Sequence, residues 1–164
     1  MKRLYLIRHA KSSKDIPGIR DRERPLNKRG KREVQSIGGL LRKYGIVVQA
    51  LYSSPAKRAF DTASVIARKI GLPRKRIQVV NSLYGSNIPK LMKIVRKIDD
   101  AAESAIIFGH NPELSNLVNY LTVRPIKEFP ACGVFGIDFN IDFWGMALHK
   151  KGKLVFFEFP KKDI

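Results

Sequence analysis

The sequence predicts an α/β fold: a three-layer sandwich with a mostly parallel central sheet, an antiparallel hairpin at one edge, and helices on both faces. Two patterns predict it. Short apolar runs that are typical of buried strands alternate with longer segments of helical periodicity, as they do in parallel βαβ units. The last two apolar runs, residues 145–149 and 153–159, have no helix between them, and Gly152 marks the turn of a hairpin.

The first half of the chain predicts two strands and two helices. Asn27 is a typical N-cap for the first helix. Ser54 and Pro55 predict the start of the second helix, as its N-cap and its first-position proline, and Gly71 predicts its end. In order, the predicted elements are a strand at 4–7, a long polar loop at 11–25, a helix at 28–43, a strand at 50–53 and a helix from 55 to about 70.

The second half of the chain predicts five strands and two helices. Asn111, Pro112 and Glu113 predict a helix start, with a cap, a first-position proline and an acid in the first turn. The predicted strands are 77–80, 105–108, 134–139, 145–149 and 153–159, and the predicted helices are 88–98 and a segment that begins at 112.

The length and composition indicate one soluble domain. The chain has 164 residues, which is enough for one hydrophobic core, and we expect a single domain over residues 1–164. No apolar run approaches the roughly 18 residues of a membrane span, and no signal-peptide pattern is visible. The one cysteine, Cys132, excludes an internal disulfide and a cysteine-based zinc site. These features predict a cytoplasmic protein that does not associate with membranes.

The net charge of the chain is unusually high. There are 32 Lys and Arg residues against 14 Asp and Glu residues, which gives a formal net charge of +18. Such a charge favours anionic partners and speeds their capture. The basic residues are spread along the chain, without the aromatic interleaving of RNA-binding modules or the spacing of zinc fingers. Most of this charge is therefore expected to be solvated surface, and nucleic-acid binding is not favoured.

Basic side chains follow three of the predicted strands at their carboxyl ends. Arg8 and His9 follow the first strand, Arg58 lies in the first turn after the second, and His110 follows the strand at 105–108. The carboxyl ends of parallel strands meet at one edge of a sheet, where ligands bind. Guanidinium groups hold tetrahedral anions through paired hydrogen bonds. We therefore expect a small positive pocket that suits phosphate or sulfate.

These strand ends belong to a longer series of motifs that covers nearly the whole chain. In order, the motifs are LYLIRHAKSS at 4–13, Asp21 with RPLN at 24–27 and RG at 29–30, SSPA at 53–56 with RA at 58–59 and TA at 62–63, LYG at 83–85 and GHNP at 109–112. In this order and spacing they resemble the histidine phosphatase superfamily, which includes phosphoglycerate mutases and acid phosphatases. The resemblance is closest to its short SixA-like branch of phosphohistidine phosphatases, which commonly carries alanine at the position of Ala10, where most other members have glycine.

The resemblance implies a phosphoglycerate mutase-like fold and four catalytic residues. His9 is the expected nucleophile, Arg8 and Arg58 the expected ligands of the phosphoryl oxygens, and His110 the expected hydrogen-bond donor to the same group. Positioning and charge stabilisation are what phosphoryl transfer needs most, so these residue types suit the reaction.

Three further residues beside the motifs are expected to bind substrate. They are Lys11, Ser12 and Asn111, although Lys11 is equally compatible with a solvated lysine. The three histidines of the chain lack the spacing of a metal site, so we expect neither a metal nor another cofactor.

The sequence contains no acid where many members of the superfamily carry one, just after the third strand. No Asp or Glu occurs between Asp61 and Asp99, and the corresponding stretch is residues 81–85. An alkoxide leaving group needs a proton, whereas the imidazole of a phosphohistidine, with a conjugate-acid pKa of about 6.5, leaves more readily. This absence favours phosphoramidates or activated esters as substrates. A carboxylate of the 11–25 loop remains a possible acid: Asp15, Asp21, which can instead tie the loop to Arg24 or Arg29, or Glu23.

The expected function is hydrolysis of phosphohistidine on a protein through a covalent phosphohistidine intermediate at His9. The protein partner would be a phosphorelay or phosphotransferase domain. One alternative is a small-molecule phosphomonoesterase of the same superfamily. Another is a basic module that binds anions or nucleic acid without turnover.

Overall fold

A computed structural model describes residues 1–161 of the chain and shows ten regular elements in that range. The strands are β1 (Lys2–Arg8), β2 (Ala50–Ser53), β3 (Ile77–Val79), β4 (Ser104–Gly109), β5 (Val134–Phe139) and β6 (Lys153–Glu158). The helices are α1 (Lys28–Lys43), α2 (Lys57–Lys69), α3 (Ile88–Arg96) and α4 (Glu113–Leu121). None of these helices is long and apolar enough to cross a membrane.

The six strands form one sheet in the order β3-β2-β4-β1-β5-β6. The four strands from β3 to β1 run parallel to one another. β5 pairs antiparallel with β1, and β6 pairs antiparallel with β5. The predicted fold class, a mostly parallel α/β sheet with an antiparallel edge, is confirmed.

The helices cover both faces of the sheet, because residues of a strand point alternately to its two sides. On β1, Tyr5 and Ile7 pack with the inner residues of α1 and α2. Leu4 and Leu6 belong to a second core with the inner residues of α3 and α4. Each helix therefore buries one apolar face, and the basic residues on the opposite faces stay in solvent.

Three helices begin as the sequence predicts or within two residues of the prediction. Asn27 caps α1, since its Oδ1 accepts a hydrogen bond from the backbone N–H of Gly30 at 2.8 Å. α4 begins at Glu113, one residue later than expected, and α3 spans residues 88–96 of the predicted 88–98.

The predicted start of α2 is wrong. The helix begins at Lys57, and Ser54 is not its N-cap. The backbone N–H of Ser54 still donates to the carbonyl of Phe108 in β4, at 3.1 Å, so the chain is extended there. The Ser54 hydroxyl is directed to a neighbouring strand end instead of to the helix.

The predicted C-terminal hairpin between residues 145–149 and 153–159 is also wrong. Residues Trp144–Met146 form a 3-10 turn, in which the buried Trp144 indole donates to the carbonyl of Ala102 at 2.8 Å. Within this run Ala147 is buried, whereas Met146 and Leu148 are exposed, and β6 pairs antiparallel with β5. Gly152 is required by close packing, because a Cβ there would lie 2.5 Å from the Ile137 side chain.

Candidate active site

Three strand ends meet at one edge of the sheet because β4 lies between β1 and β2. Arg8 is in register with Gly109, and the backbone N–H of His9 donates to the Gly109 carbonyl at 3.1 Å. The residue after β2, Ser54, is tied to β4 in the same way, through the Phe108 carbonyl. The first residues beyond β1, β2 and β4 are therefore neighbours, although they are far apart in sequence.

The His9 ring is held so that one nitrogen is free. Its Nδ1 lies 2.8 Å from the backbone oxygen of Ala10. A carbonyl oxygen only accepts hydrogen bonds, so Nδ1 carries the proton and Nε2 keeps its lone pair. The Ala10 N–H donates to Thr62 Oγ1 at 3.0 Å, and Thr62 in turn donates to the Arg58 carbonyl at 2.7 Å. The turn after β1 is therefore fastened to α2.

His110 lies beside His9 and is oriented by Ser54. The two ring centroids are 5.2 Å apart, with the planes tilted by 56°. His110 Nε2 lies 2.8 Å from Ser54 Oγ, which also accepts from the N–H of Ala56 at 3.2 Å. Tyr84 packs edge-on against the His110 ring, with centroids 5.6 Å apart. The sequence placed Ser54 at a helix cap, and no sequence signal linked it to His110.

Both histidines are neutral at physiological pH in this site. Burial lowers the pKa of His9 to about 3, and the nearby positive charges of Arg58 and Arg8 act in the same direction. Burial likewise lowers the pKa of His110 to about 4, again with a contribution from Arg58. A neutral imidazole with a free Nε2 is the form of histidine that attacks an electrophile.

Each arginine of the site is anchored through one or both terminal Nη nitrogens, while its Nε–H is not used in these bonds. Arg8 Nη1 donates to the carbonyl of Phe129 at 2.8 Å. Arg58 Nη1 donates to the backbone oxygen of Asp21 at 2.7 Å, and its Nη2 donates to Asp21 Oδ2 at 3.0 Å. The Nε atoms of both arginines are buried without a hydrogen-bond partner among the described residues. Two buried cationic donors that no protein acceptor in the described residues satisfies suit an anionic ligand.

Asp21 connects the 11–25 loop to this site. Its carboxylate accepts from the Tyr84 hydroxyl at 2.5 Å and from Arg24 Nε at 2.9 Å, besides Arg58. The bonds from Tyr84, Arg24 and Arg58 together hold the pKa of this carboxyl well below its usual range. Of the two partners expected for Asp21, Arg24 and Arg29, the structure shows the ion pair with Arg24. The contacts with Arg58 and Tyr84 were not foreseen, since both partners are distant in sequence.

A cavity of about 1400 Å³ opens over these residues. The three expected substrate-binding residues, Lys11, Ser12 and Asn111, all line it. Ser12 Oγ accepts from Arg24 Nη1 at 2.8 Å. Asn111 Oδ1 accepts from the backbone N–H and the hydroxyl of Ser115 in α4, at 3.1 and 3.0 Å. The Asn111 oxygen is thus occupied, which leaves its amide NH₂ as the donor for a ligand.

Carboxylates line the cavity both at positions that the sequence predicted as possible acids and at others. Residues Asn81–Leu83 form a 3-10 turn, and no acid enters from that stretch. Glu113, in the first turn of α4, and Glu128 line the cavity, as do Asp15 and Asp21 of the loop. Glu113 Oε2 is buried and has no hydrogen-bond partner among the described residues. The sequence feature that could have pointed to Glu113 as a cavity residue is its position three residues after His110.

Within residues 1–161, no three His, Cys, Asp or Glu side chains are grouped so that they could hold a metal ion. Arg8, Arg58 and further basic side chains, among them Lys11, Arg24 and Arg29, bring positive charge to the cavity.

The sequence matches the model of the histidine phosphatase superfamily (branch 1) over residues 4–83. It is 33% identical over 138 residues to an uncharacterised protein of Mycobacterium tuberculosis, which covers 78% of this chain and 84% of the relative. It is 31% identical over 134 residues to an uncharacterised chloroplastic protein of Arabidopsis thaliana, covering 77% of this chain. The match spans 62% of the plant protein's length.

The fold is shared with solved SixA structures. A SixA-type protein from Agrobacterium tumefaciens superimposes with a TM-score of 0.83 at 23% identity, over 97% of this chain and 98% of the other. The protein histidine phosphatase SixA complexed with tungstate gives a TM-score of 0.78 at 18% identity, over 96% and 97% of the two chains. Together with the motifs, the match of residues 4–83 to the family model shows that the chain belongs to the histidine phosphatase superfamily.

Proposed function

We propose that this protein is a phosphatase that hydrolyses phosphohistidine on a protein, through a covalent phosphoryl intermediate on His9. One observation carries the proposal: the free Nε2 of a neutral His9 lies beside His110 and two arginines. Each arginine has a buried Nε without a hydrogen-bond partner in residues 1–161. This arrangement presents a nucleophile and positive charge to the same small volume. A solved SixA structure of the same fold is complexed with tungstate, a tetrahedral oxyanion, which supports an oxyanion ligand for this protein.

The reaction proceeds in two balanced steps. First, His9 Nε2 attacks phosphorus, the P–N bond of the substrate breaks, and the leaving imidazole takes a proton from water. Arg8 and Arg58 stabilise the charge on the phosphoryl oxygens, and His110 supports the same group. Second, a water molecule attacks phosphorus, the bond to His9 Nε2 breaks, and phosphate and a proton are released. We propose that these steps need no metal.

The leaving group favours phosphohistidine over alkyl phosphates. An imidazole needs little help to leave, since the pKa of its conjugate acid is about 6.5. Asp21 is a poor proton donor because hydrogen bonds from Tyr84, Arg24 and Arg58 hold the pKa of its carboxyl low. The stretch at 81–85, where many superfamily members have an acid, contains none.

The charge distribution favours an acidic protein as the partner. Residues 11–29, of which several line the cavity, carry seven Lys and Arg residues against three Asp and Glu residues. The cavity is open enough to admit a side chain presented by a folded domain, such as a phosphorelay or phosphotransferase domain. Complementary charge would steer such a partner to the site. We further propose that residues 1–164 act as one domain in the cytoplasm.

The experiment is a turnover assay with a phosphohistidine protein. The wild-type protein should release phosphate and form an acid-labile phosphoenzyme, and His9→Ala should do neither. His149→Ala is the matched control, because His149 packs against Tyr120 outside the cavity and its loss should leave turnover unchanged. Equal turnover by wild type and His9→Ala would refute the proposal.

One observation favours a second candidate, a small-molecule phosphomonoesterase. Glu113 lines the cavity, and its buried Oε2 has no hydrogen-bond partner among the described residues, a position from which a carboxyl would protonate an alkoxide. Rates on an alkyl phosphate and on a phosphoramidate separate the two functions. If Glu113 serves as the acid, Glu113→Gln should slow the alkyl phosphate selectively, and the wild-type protein should prefer that substrate.

A further inference from the structure

We infer that Asp21 is a positioning residue: it holds the Arg58 guanidinium by its outer edge, so that the Nε–H of Arg58 stays available to the phosphoryl group. The inference rests on the proposed function, because it takes Arg58 as a phosphoryl ligand. It adds a role for a loop residue that the motif assigns to no step.

Two acceptors from one residue fix the orientation of the guanidinium. Arg58 Nη1 bonds the backbone oxygen of Asp21, and Nη2 bonds the carboxylate. The guanidinium is planar, so two anchored nitrogens determine where the third one points. The Arg58 side chain is only 7% exposed, whereas that of Asp21 is 53% exposed. Asp21 therefore reaches the buried arginine from the surface loop.

Asp21 is itself held from two sides. Arg24, which bonds the carboxylate through Nε, also donates from Nη1 to Ser12 Oγ and to the carbonyl of Ser13. Arg24 thereby joins the two ends of the 11–25 loop and holds Asp21 beside Arg58. On the other side, Tyr84 donates to Oδ2 while its ring packs against His110. One carboxylate thus links the loop, Arg58 and the neighbour of His110.

The same contacts argue against Asp21 as the general acid. A carboxylate that accepts from two guanidinium groups and a phenol is stabilised in its ionised form. It has no proton to give near neutral pH, so its contribution is orientation.

A double-mutant cycle tests the inference. We would measure kcat/KM for wild type, Asp21→Ala, Arg58→Ala and the double variant on p-nitrophenyl phosphate and on a phosphoramidate. A role through Arg58 predicts that Asp21→Ala lowers kcat/KM about 10- to 100-fold in the wild-type background and less than about twofold once Arg58 is alanine. Equal losses in both backgrounds would overturn the inference.

Two comparisons separate this role from others. Asp21→Asn keeps an acceptor for Arg58 Nη2 and should retain more activity than Asp21→Ala. Glu23→Ala, in the same 3-10 turn but not lining the cavity, should be unchanged. A loss that grows with the pKa of the leaving group would mean that Asp21 is an acid and would refute positioning. Turnover by His9→Ala would refute the proposed function instead, whatever the cycle shows.

Discussion

The rings of His9 and His110 lie in contact at the carboxyl edge of the sheet, with their centroids 5.2 Å apart. Each ring has one nitrogen bonded by a group next to a strand end: the Ala10 carbonyl for His9 and the Ser54 hydroxyl for His110. Two imidazoles at this distance, His110 buried and His9 half-buried, with two arginines beside them, disfavour protonation of either ring. The pair is therefore a neutral, oriented unit.

The depressed histidine pKa values predict that stability falls in mild acid. The pKa is about 3 for His9 and about 4 for His110, against about 6.5 in the unfolded chain, so the unfolded state binds protons first as pH falls. The free energy of unfolding is therefore unaffected by titration of these two histidines above about pH 6.5. As the pH drops from there towards 4, it falls by up to about 1.4 kcal/mol per pH unit for each histidine.

Urea unfolding between pH 7.5 and 4.5 measures this dependence. The double variant His9→Asn, His110→Asn should show a flatter curve than the wild type over that range. Titration of the depressed Asp21 carboxyl lies below this range, so it does not interfere. The same slope in both proteins would contradict the prediction.

Replacement of Arg58 by lysine should damage catalysis although it keeps the charge. Lysine lacks the planar fork and cannot bond Asp21 through two nitrogens while presenting a third donor. We expect Arg58→Lys to lower kcat/KM about 10²- to 10³-fold. Arg68→Lys, an exposed change near the other end of α2, is the control and should have no effect in the same kinetic assay. Comparable activity in Arg58→Lys and wild type would show that charge alone suffices.

Loss of the Ser54 hydroxyl should loosen His110. Ser54→Ala removes the partner of a buried ring nitrogen, which costs about 1–3 kcal/mol when the nitrogen stays unpaired. We expect a lower free energy of unfolding and a fall of about tenfold in kcat/KM, because the ring is no longer held. Ser64→Ala removes only a bond to the Phe60 carbonyl within α2 and should leave kcat/KM unchanged. Equal kinetics of the two variants would refute the role of Ser54.

Gly30 allows the close approach of α1 and the loop that borders the cavity. A Cβ at Gly30 would collide with the Lys11 carbonyl, which accepts from the N–H of Asn27 at 3.0 Å. Gly30→Ala should therefore destabilise the protein and lower activity, since Lys11 must move. Gly39→Ala, in the same helix with open space around it, should stabilise the protein by about 0.5–1 kcal/mol. Thermal unfolding should shift in opposite directions in the two variants, and kcat/KM should fall only in Gly30→Ala.

Much of the fold was predictable because its elements have strong local signals. The capped start of α1 and the alternation of strands with helices were visible as periodicity and capping residues. The C-terminal hairpin was predicted wrongly because a short run of apolar residues looks the same in sequence whether it forms a strand or a tight turn. In residues 145–149 the run accompanies the 3-10 turn that buries Trp144.

The sequence by itself determined where Arg8, His9 and His110 lie, and it placed Arg58 in the turn beside them. Parallel strands end at one edge, so residues that follow such strands become neighbours whatever the loops do. Only the tertiary structure decided what orients these groups. Arg58 meets Asp21 across 37 residues, His110 meets Ser54 across 56, and Arg8 meets the Phe129 carbonyl across 121. Such contacts depend on the paths of loops and the packing of distant segments, which local periodicity does not encode.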